Sequence, residues 1–283
     1  VEPRGNDTFA GSMTLSFTKM NGAGNDFVMV DNRDGALALS RDQIARLCDR
    51  HRGIGADGLL AVEPARNGAD FRMRYYNADG GEAEMCGNGA RCFARFARRV
   101  AGSAASAVTF ETEAGVIGAR FFGDEVEIAM STPHSLAPAT SLEAGGETLD
   151  VHFLNTGVPH AVVFVDDLEA VDILRLGSGL RYHTHFAPKG TNANFVQVLA
   201  PGEIAIRTYE RGVEGETLAC GTGVTACALI HHLVSGAISP IAVRVKGGET
   251  LRVGFETGAT PGEFTNVTLT GPADFVFDGT VAL

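Results

Sequence analysis

Two cysteines stand in nearly the same setting, 134 residues apart: Met85-Cys86-Gly87-Asn88-Gly89 and Ala219-Cys220-Gly221-Thr222-Gly223. Each Cys-Gly-x-Gly turn precedes a segment with helical patterning. A thiol reacts as its thiolate, and a helix N-terminus, with unpaired N–H groups and a favourable dipole, lowers the pKa of a thiol placed there. The glycines let the backbone turn sharply and bring bare amides close to an anion such as a carboxylate. Two such turns facing each other would put one sulfur on each side of a bound amino acid. One thiolate takes the proton from the α-carbon, the amides hold the carboxylate as charge spreads into it, and the other thiol protonates the opposite face. A closed, dry site has to stabilise the carbanion, since no lysine sits in an obvious Schiff-base context and no cofactor is expected.

The elements around the cysteines repeat as well. Arg74-Tyr75-Tyr76-Asn77 leads through Asp79-Gly80 to Cys86, and Arg207-Thr208-Tyr209-Glu210 leads through Arg211-Gly212 to Cys220. Upstream, Gly24-Asn25-Asp26-Phe27 matches Gly157-Val158-Pro159-His160, each opening a strand. This is one two-fold duplication, unlike the 20–50-residue periods of solenoids. Two similar α/β domains follow, 13–131 and 132–283, with the boundary in the Pro/Ala/Ser/Gly-rich stretch Ser131 to Gly146, read as a linker. Strands are expected at Asp26–Asp31, Phe71–Tyr76, Ala107–Thr112, Val116–Phe121 and Val126–Met130. In the second half they are expected at Ala161–Val165, Ala193–Leu199, Ile204–Tyr209, Ile241–Val245, Thr250–Phe255 and Asn266–Thr270. Of the two helices, Ala90 to Val100 places Cys92, Phe93, Phe96 and Val100 on one face and arginines on the other. Val224 to Val234 is apolar nearly all round, hence buried.

Composition narrows the partners. A net charge of −11 argues against a nucleic-acid or anionic-membrane surface, and no apolar run approaches the ~20 residues of a membrane span. Five cysteines without a Cys-x-x-Cys pair fit neither a disulfide framework nor a zinc site, so no metal is expected. Cys48, Cys92 and Cys227 read as small buried hydrophobes. Residues 1–12, polar and lacking an initial Met, read as an expression-tag remnant outside the fold, and the location as cytoplasmic.

With these motifs in place, the chain from about Phe17 onward closely resembles the diaminopimelate epimerase family. The match includes Lys19 to Phe27, Gly53 to Gly58, Asn77 to Gly80, Met85 to Cys92, Pro159-His160, Thr191-Asn192, Tyr209 to Gly212 and Glu216 to Gly223. The resemblance implies an α/β (α+β) fold of two pseudo-symmetric domains, each a β-sheet wrapped around a central helix, with the active site in the interdomain cleft. It implies that the last strand, about 272–283, pairs back with the first domain. It also implies cofactor-free interconversion of LL- and meso-2,6-diaminopimelate by a homodimer. By the same resemblance Cys86 and Cys220 are acid and base, and His160 and Glu210 tune them. Amides of Gly87, Asn88, Gly221 and Thr222 bind the reacting carboxylate, while Asn25, Asn77, Asn192, Glu210 and Arg211 recognise the substrate.

Three positions depart from the common family pattern: Val158 replaces an Asn, Gly58 replaces a Gln, and Gly212 to Glu216 carries one extra residue. Competing readings are a proline or hydroxyproline racemase of the same fold, a thiol redox or metal-binding protein, and a non-catalytic amino-acid-binding module.

Overall fold

The computed structural model describes residues 14–83 and 85–283. The tag-like segment 1–12 lies outside them. The first half runs β1 (Thr14–Gly22), β2 (Asn25–Asp31), α1 (Arg41–Cys48), β3 (Gly58–Glu63), β4 (Phe71–Asn77), α2 (Gly87–Val100), β5 (Ala107–Thr112), β6 (Gly115–Phe122) and β7 (Glu125–Ala129). The second half begins β8 (His134–Ala144), β9 (Glu147–Asn155), β10 (Pro159–Phe164), α3 (Ile173–Arg181), β11 (Asn192–Ala200), β12 (Glu203–Glu210) and β13 (Gly215–Thr217). It ends α4 (Gly221–Ser235), β14 (Ile241–Arg244), β15 (Thr250–Thr257), β16 (Phe264–Pro272) and β17 (Asp274–Ala282).

Strand pairing repeats step for step. β2 and β3 are parallel, with Phe27 opposite Gly58, as β10 and β11 are parallel, with His160 opposite Asn192. β3–β4 and β11–β12 are antiparallel; β4–β5 and β12–β14 are parallel. Each half thus wraps its sheet around one helix, α2 or α4, most of whose residues are buried. β8, which opens the second half, pairs with β9, and β17, which closes it, crosses back to pair with β1 from Thr14↔Ala282 to Asn21↔Asp274. β7 and β16 pair between the halves.

Three expectations need correction. The Ser131 to Gly146 stretch is not a linker; most of it is β8, turned onto β9 through Gly145-Gly146. Its mostly exposed side chains and Pro138 hid it, since an edge strand needs neither a buried face nor every ladder hydrogen bond. The arginines of α2 are not all on an outer face: Arg91 is fully buried, donating to Pro272 O (3.2 Å) and to Asn88 Oδ1 (2.8 Å). α4 is buried only as far as His231; Leu233 and Val234 in its last turn are exposed. α1 and α3 and the strands β1, β3, β9 and β13 go unanticipated by periodicity, being short or mixed in pattern. Ser40 closes a capping box with Gln43 at the start of α1. Cys48, Cys92 and Cys227 are buried core residues.

The start of β2 is pinned by charge. Asp26 takes hydrogen bonds from Arg50 (2.7 and 2.9 Å) and an ion pair from Lys19 (2.8 Å). Burial raises the pKa of this carboxyl, but Arg50 and Lys19 together outweigh that and hold it at about 2. Asp57 joins through Arg50 (2.7 Å) and accepts from Asn25 Nδ2 (2.9 Å), which fixes the Asn25 side chain.

Candidate active site

Cys86 and Cys220 are the N-cap residues of α2 and α4, both in extended backbone and neither side chain capping its helix. The first intrahelical bonds are Ala90 N–H to Cys86 O and Val224 N–H to Cys220 O, leaving the earlier N–H groups free of helical partners. The two helix ends meet. A Cβ built on Gly221 falls 3.8 Å from the Gly87 Cα, and one built on Gly87 falls 3.9 Å from the Gly221 Cα. These are ordinary van der Waals separations, so the two backbones touch without excluding a Cβ; the tight neighbour of a Cβ at Gly221 is Leu269 Cδ2, at 3.1 Å.

Burial sets the electrostatics. It raises both thiols: Cys86 goes up, though the Gly89 and Asn88 amides pull it back, and Cys220 is pushed up to about 12. After burial, the negative charge of Glu210 is the next upward influence on Cys220, opposed by the Thr222 hydroxyl and the Gly223 amide. The expected fall of thiol pKa at a helix N-terminus is therefore outweighed by desolvation. Glu210 is itself raised by burial, against hydrogen bonds from Thr217 Oγ1 (2.9 Å) and Cys220. His160 is fully buried and held down at about 3, by burial first and by Arg211 second, so it is a neutral imidazole. It influences the sulfur by hydrogen bonding and not by charge: Nε2 lies 2.9 Å from Thr222 Oγ1, which lies 3.5 Å from Cys220 Sγ.

The remaining expected residues divide. Asn88 donates to Asn25 Oδ1 (2.7 Å), so these two are joined. Asn192 uses its carboxamide on backbone, donating to Pro159 O (2.9 Å) and accepting from Arg211 N–H (2.8 Å). That leaves it one N–H and one lone pair. The Arg211 guanidinium has no hydrogen-bond or carboxylate partner among the described residues. Asn77 is exposed at the end of β4, where its backbone closes a turn with Gly80 and Gly81. Residues that sequence reasoning missed are Asp57, Tyr75, Arg91, Asn194, Thr208 and Thr217. Asp57, Tyr75, Arg91, Thr208 and Thr217 lie within the repeated or matched segments, while the signal at Asn194 is a second polar residue on the same face of β11 as Asn192.

The family model described as diaminopimelate epimerase covers residues 17–136 and 152–275. The diaminopimelate epimerase of Aquifex aeolicus is 43% identical over 278 residues, spanning 94% of this chain and 97% of that protein. The chain belongs to the diaminopimelate epimerase family. Solved structures extend the fold further at low identity. A phenazine biosynthesis protein of the PhzF family from Bacillus anthracis superposes with TM-score 0.73 at 16% identity, covering 96% of this chain and all of that one. A probable proline racemase from Agrobacterium radiobacter gives 0.68 at 17%, covering 95% and 93%. These share architecture with the diaminopimelate epimerase family, while the sequence match above separates this chain from them.

The departures from the family pattern acquire local explanations. Gly58 is hemmed in: a Cβ there would fall 2.5 Å from Tyr76 O and 2.8 Å from the Tyr75 ring. Tyr75 occupies that space, packing edge-on to Phe27 at 6.2 Å between centroids. Gly58→Ala is accordingly expected to cost about 1–3 kcal/mol by overpacking, read as a lowered Tm; an unchanged Tm would show the space to be free. The extra residue in Gly212 to Glu216 is absorbed by left-handed backbone at Gly212 and Glu214, with Glu214 paired to Arg181 (2.9 Å). Val158 is half-buried, and nothing among the described residues explains it.

Proposed function

We propose that this protein interconverts LL- and meso-2,6-diaminopimelate by two-base proton transfer between Cys86 and Cys220. The observation that carries the reading is the meeting of the two cysteine-capped helix N-termini at Gly87 and Gly221. Burial raises three acids together, Cys86, Cys220 and Glu210, so the site holds few negative charges at once. Glu210 accepts a proton from one thiol, and the resulting thiolate removes the substrate α-proton. The electron pair left on carbon delocalises into the carboxylate, held by the amides of Gly87, Asn88, Gly221 and Thr222. The opposite thiol then gives its proton to the other face and becomes a thiolate, and return of the proton held by Glu210 to that sulfur restores both thiols and the carboxylate. Arg211, with Asn25, Asn77 and Asn192 around the mouth, receives the distal carboxylate and ammonium. A monoamino acid would leave these polar groups unpaired, which is a strong basis for rejecting it.

The same reading includes two domains divided near 131/132, a homodimer, and a cytoplasmic location. No described helix is long and apolar enough to cross a membrane. The deciding experiment follows α-proton exchange with solvent deuterium, offering LL-diaminopimelate and L-proline in parallel. Exchange and inversion with the diamino diacid alone are expected; exchange with proline alone would overturn the assignment.

A further inference from the structure

The two halves, alike in backbone, differ in what supports each cysteine. Behind Cys220 the second glycine of its turn, Gly223, lies against His160 and Asn194: a Cβ there would fall 2.5 Å from Asn194 Oδ1 and 3.3 Å from His160 Cε1. Behind Cys86 the equivalent Gly89 lies against Phe27 (3.4 Å) and Leu60 (3.3 Å). Strand register makes the pairs equivalent. Phe27 opposes Gly58 as His160 opposes Asn192, and Leu60 and Asn194 each lie two residues further along. One cysteine therefore rests on hydrocarbon and the other on a hydrogen-bonded chain.

The direction of that chain is set at its far end. The Ala161 carbonyl can only accept, so the amide nitrogen of Asn194, 2.9 Å away, must face it. Asn194 Oδ1 in turn accepts from the Thr208 hydroxyl at 3.0 Å, which agrees with that orientation. The second N–H of Asn194 then points at His160 Nδ1, 3.2 Å away, which must present a lone pair. A neutral imidazole with a bare Nδ1 carries its proton on Nε2 and donates it to Thr222 Oγ1. The Thr222 hydroxyl, having accepted there, has Cys220 Sγ as its other neighbour and donates to it.

We propose that Asn194 is a positioning residue that locks His160 in its Nε2–H tautomer, so that Thr222 donates to Cys220 and this sulfur, unlike Cys86 among the described residues, receives a side-chain hydrogen bond that supports its thiolate. This rests on the reading of Cys220 as a proton carrier. It adds a residue with no contact to substrate and a functional asymmetry that the duplicated backbone lacks. Other ionisable groups facing Cys220 are Glu210 on β12, Cys86 at the start of α2 and Cys227 one helical stretch further on; Arg211 acts on His160. None of these is altered by a change at Asn194, so they serve as a common background.

The test begins with the unaltered protein. Long-range ¹⁵N–¹H spectra of histidine-labelled protein, with the His160 signal assigned by its loss in His160→Gln, should show a pyridine-type Nδ1 and a protonated Nε2. A protonated Nδ1 would overturn the proposal without any variant having to fold. Asn194→Leu then copies the first half of the molecule. Iodoacetamide alkylation of each cysteine, resolved by peptide mass spectrometry across pH, is expected to slow about three- to tenfold at Cys220 near neutral pH, the worth of one hydrogen bond. Cys86 should change less than about twofold on the same reasoning. In a Thr222→Val background the Asn194 substitution should add nothing further, because the chain is already cut. Equal slowing of both cysteines, or the same factor with Val at position 222, would mark Asn194 as a mere packing residue. Epimerase turnover of the unaltered protein is measured separately, so a wrong substrate and a wrong tautomer give different failures.

Discussion

Cys86→Ala and Cys220→Ala should each lower epimerisation of diaminopimelate by about four orders of magnitude or more, since each removes one of two obligatory proton carriers. The effect should be on kcat, with substrate binding largely kept, because the amide cradle is backbone and survives the loss of a sulfur. The sharper expectation concerns isotope exchange. A single remaining cysteine reaches only one face of the α-carbon, so residual deuterium incorporation should occur without inversion and with one epimer only. The two variants should choose opposite epimers. NMR of the substrate in deuterated buffer reads both quantities together. Epimerisation above about one per cent in either variant would show that the paired sulfurs are not the acid and base.

Glu210→Gln is expected to be the next largest lesion, about 10²–10³ in kcat. Glu210 lies half-buried at the end of β12 beside Cys220, where burial lifts its pKa, and Thr217 and Cys220 hold the ionised form in part. In its proposed role the carboxylate must be ionised to take a proton from a thiol. Activity should therefore fall as pH drops through the Glu210 pKa, and the acid limb should lie above the ordinary glutamate range because that pKa is raised. His160 cannot supply this limb; burial holds its titration near 3. Gln cannot ionise, so the variant should lose the acid limb along with most of its rate. A pH profile of kcat/KM for both proteins checks this, and an unchanged acid limb in Glu210→Gln would assign the titration to another group.

The contrast between Cys86 and Arg91 shows how far sequence alone reaches. Cys86 was legible because its chemistry depends on a local pattern, Cys-Gly-x-Gly before a helix, and because the pattern recurs at Cys220. The duplication, the two central helices and the family could be read from residues and spacing for the same reason. Arg91, five residues further on, looked like a surface charge. It is buried because β16 closes over α2, a contact between residues about 180 apart in sequence. Likewise β8 was hidden in a stretch whose composition suits a linker, and its pairing with β9 supplies what its own pattern lacks.

The sequence by itself determined that two equivalent cysteines would each stand at the head of a buried helix in a duplicated α/β chain. Tertiary structure alone decided that they are not equivalent in surroundings. Phe27 and Leu60 pack behind one, while His160, Asn194 and Thr222 reach the other. It also decided the sign of the thiol shifts, which local helix-end reasoning had reversed. The physical reason is the same in both cases. A helix dipole and a glycine turn are local and can be read along the chain, whereas desolvation and hydrogen-bond direction depend on which distant strands close around the site.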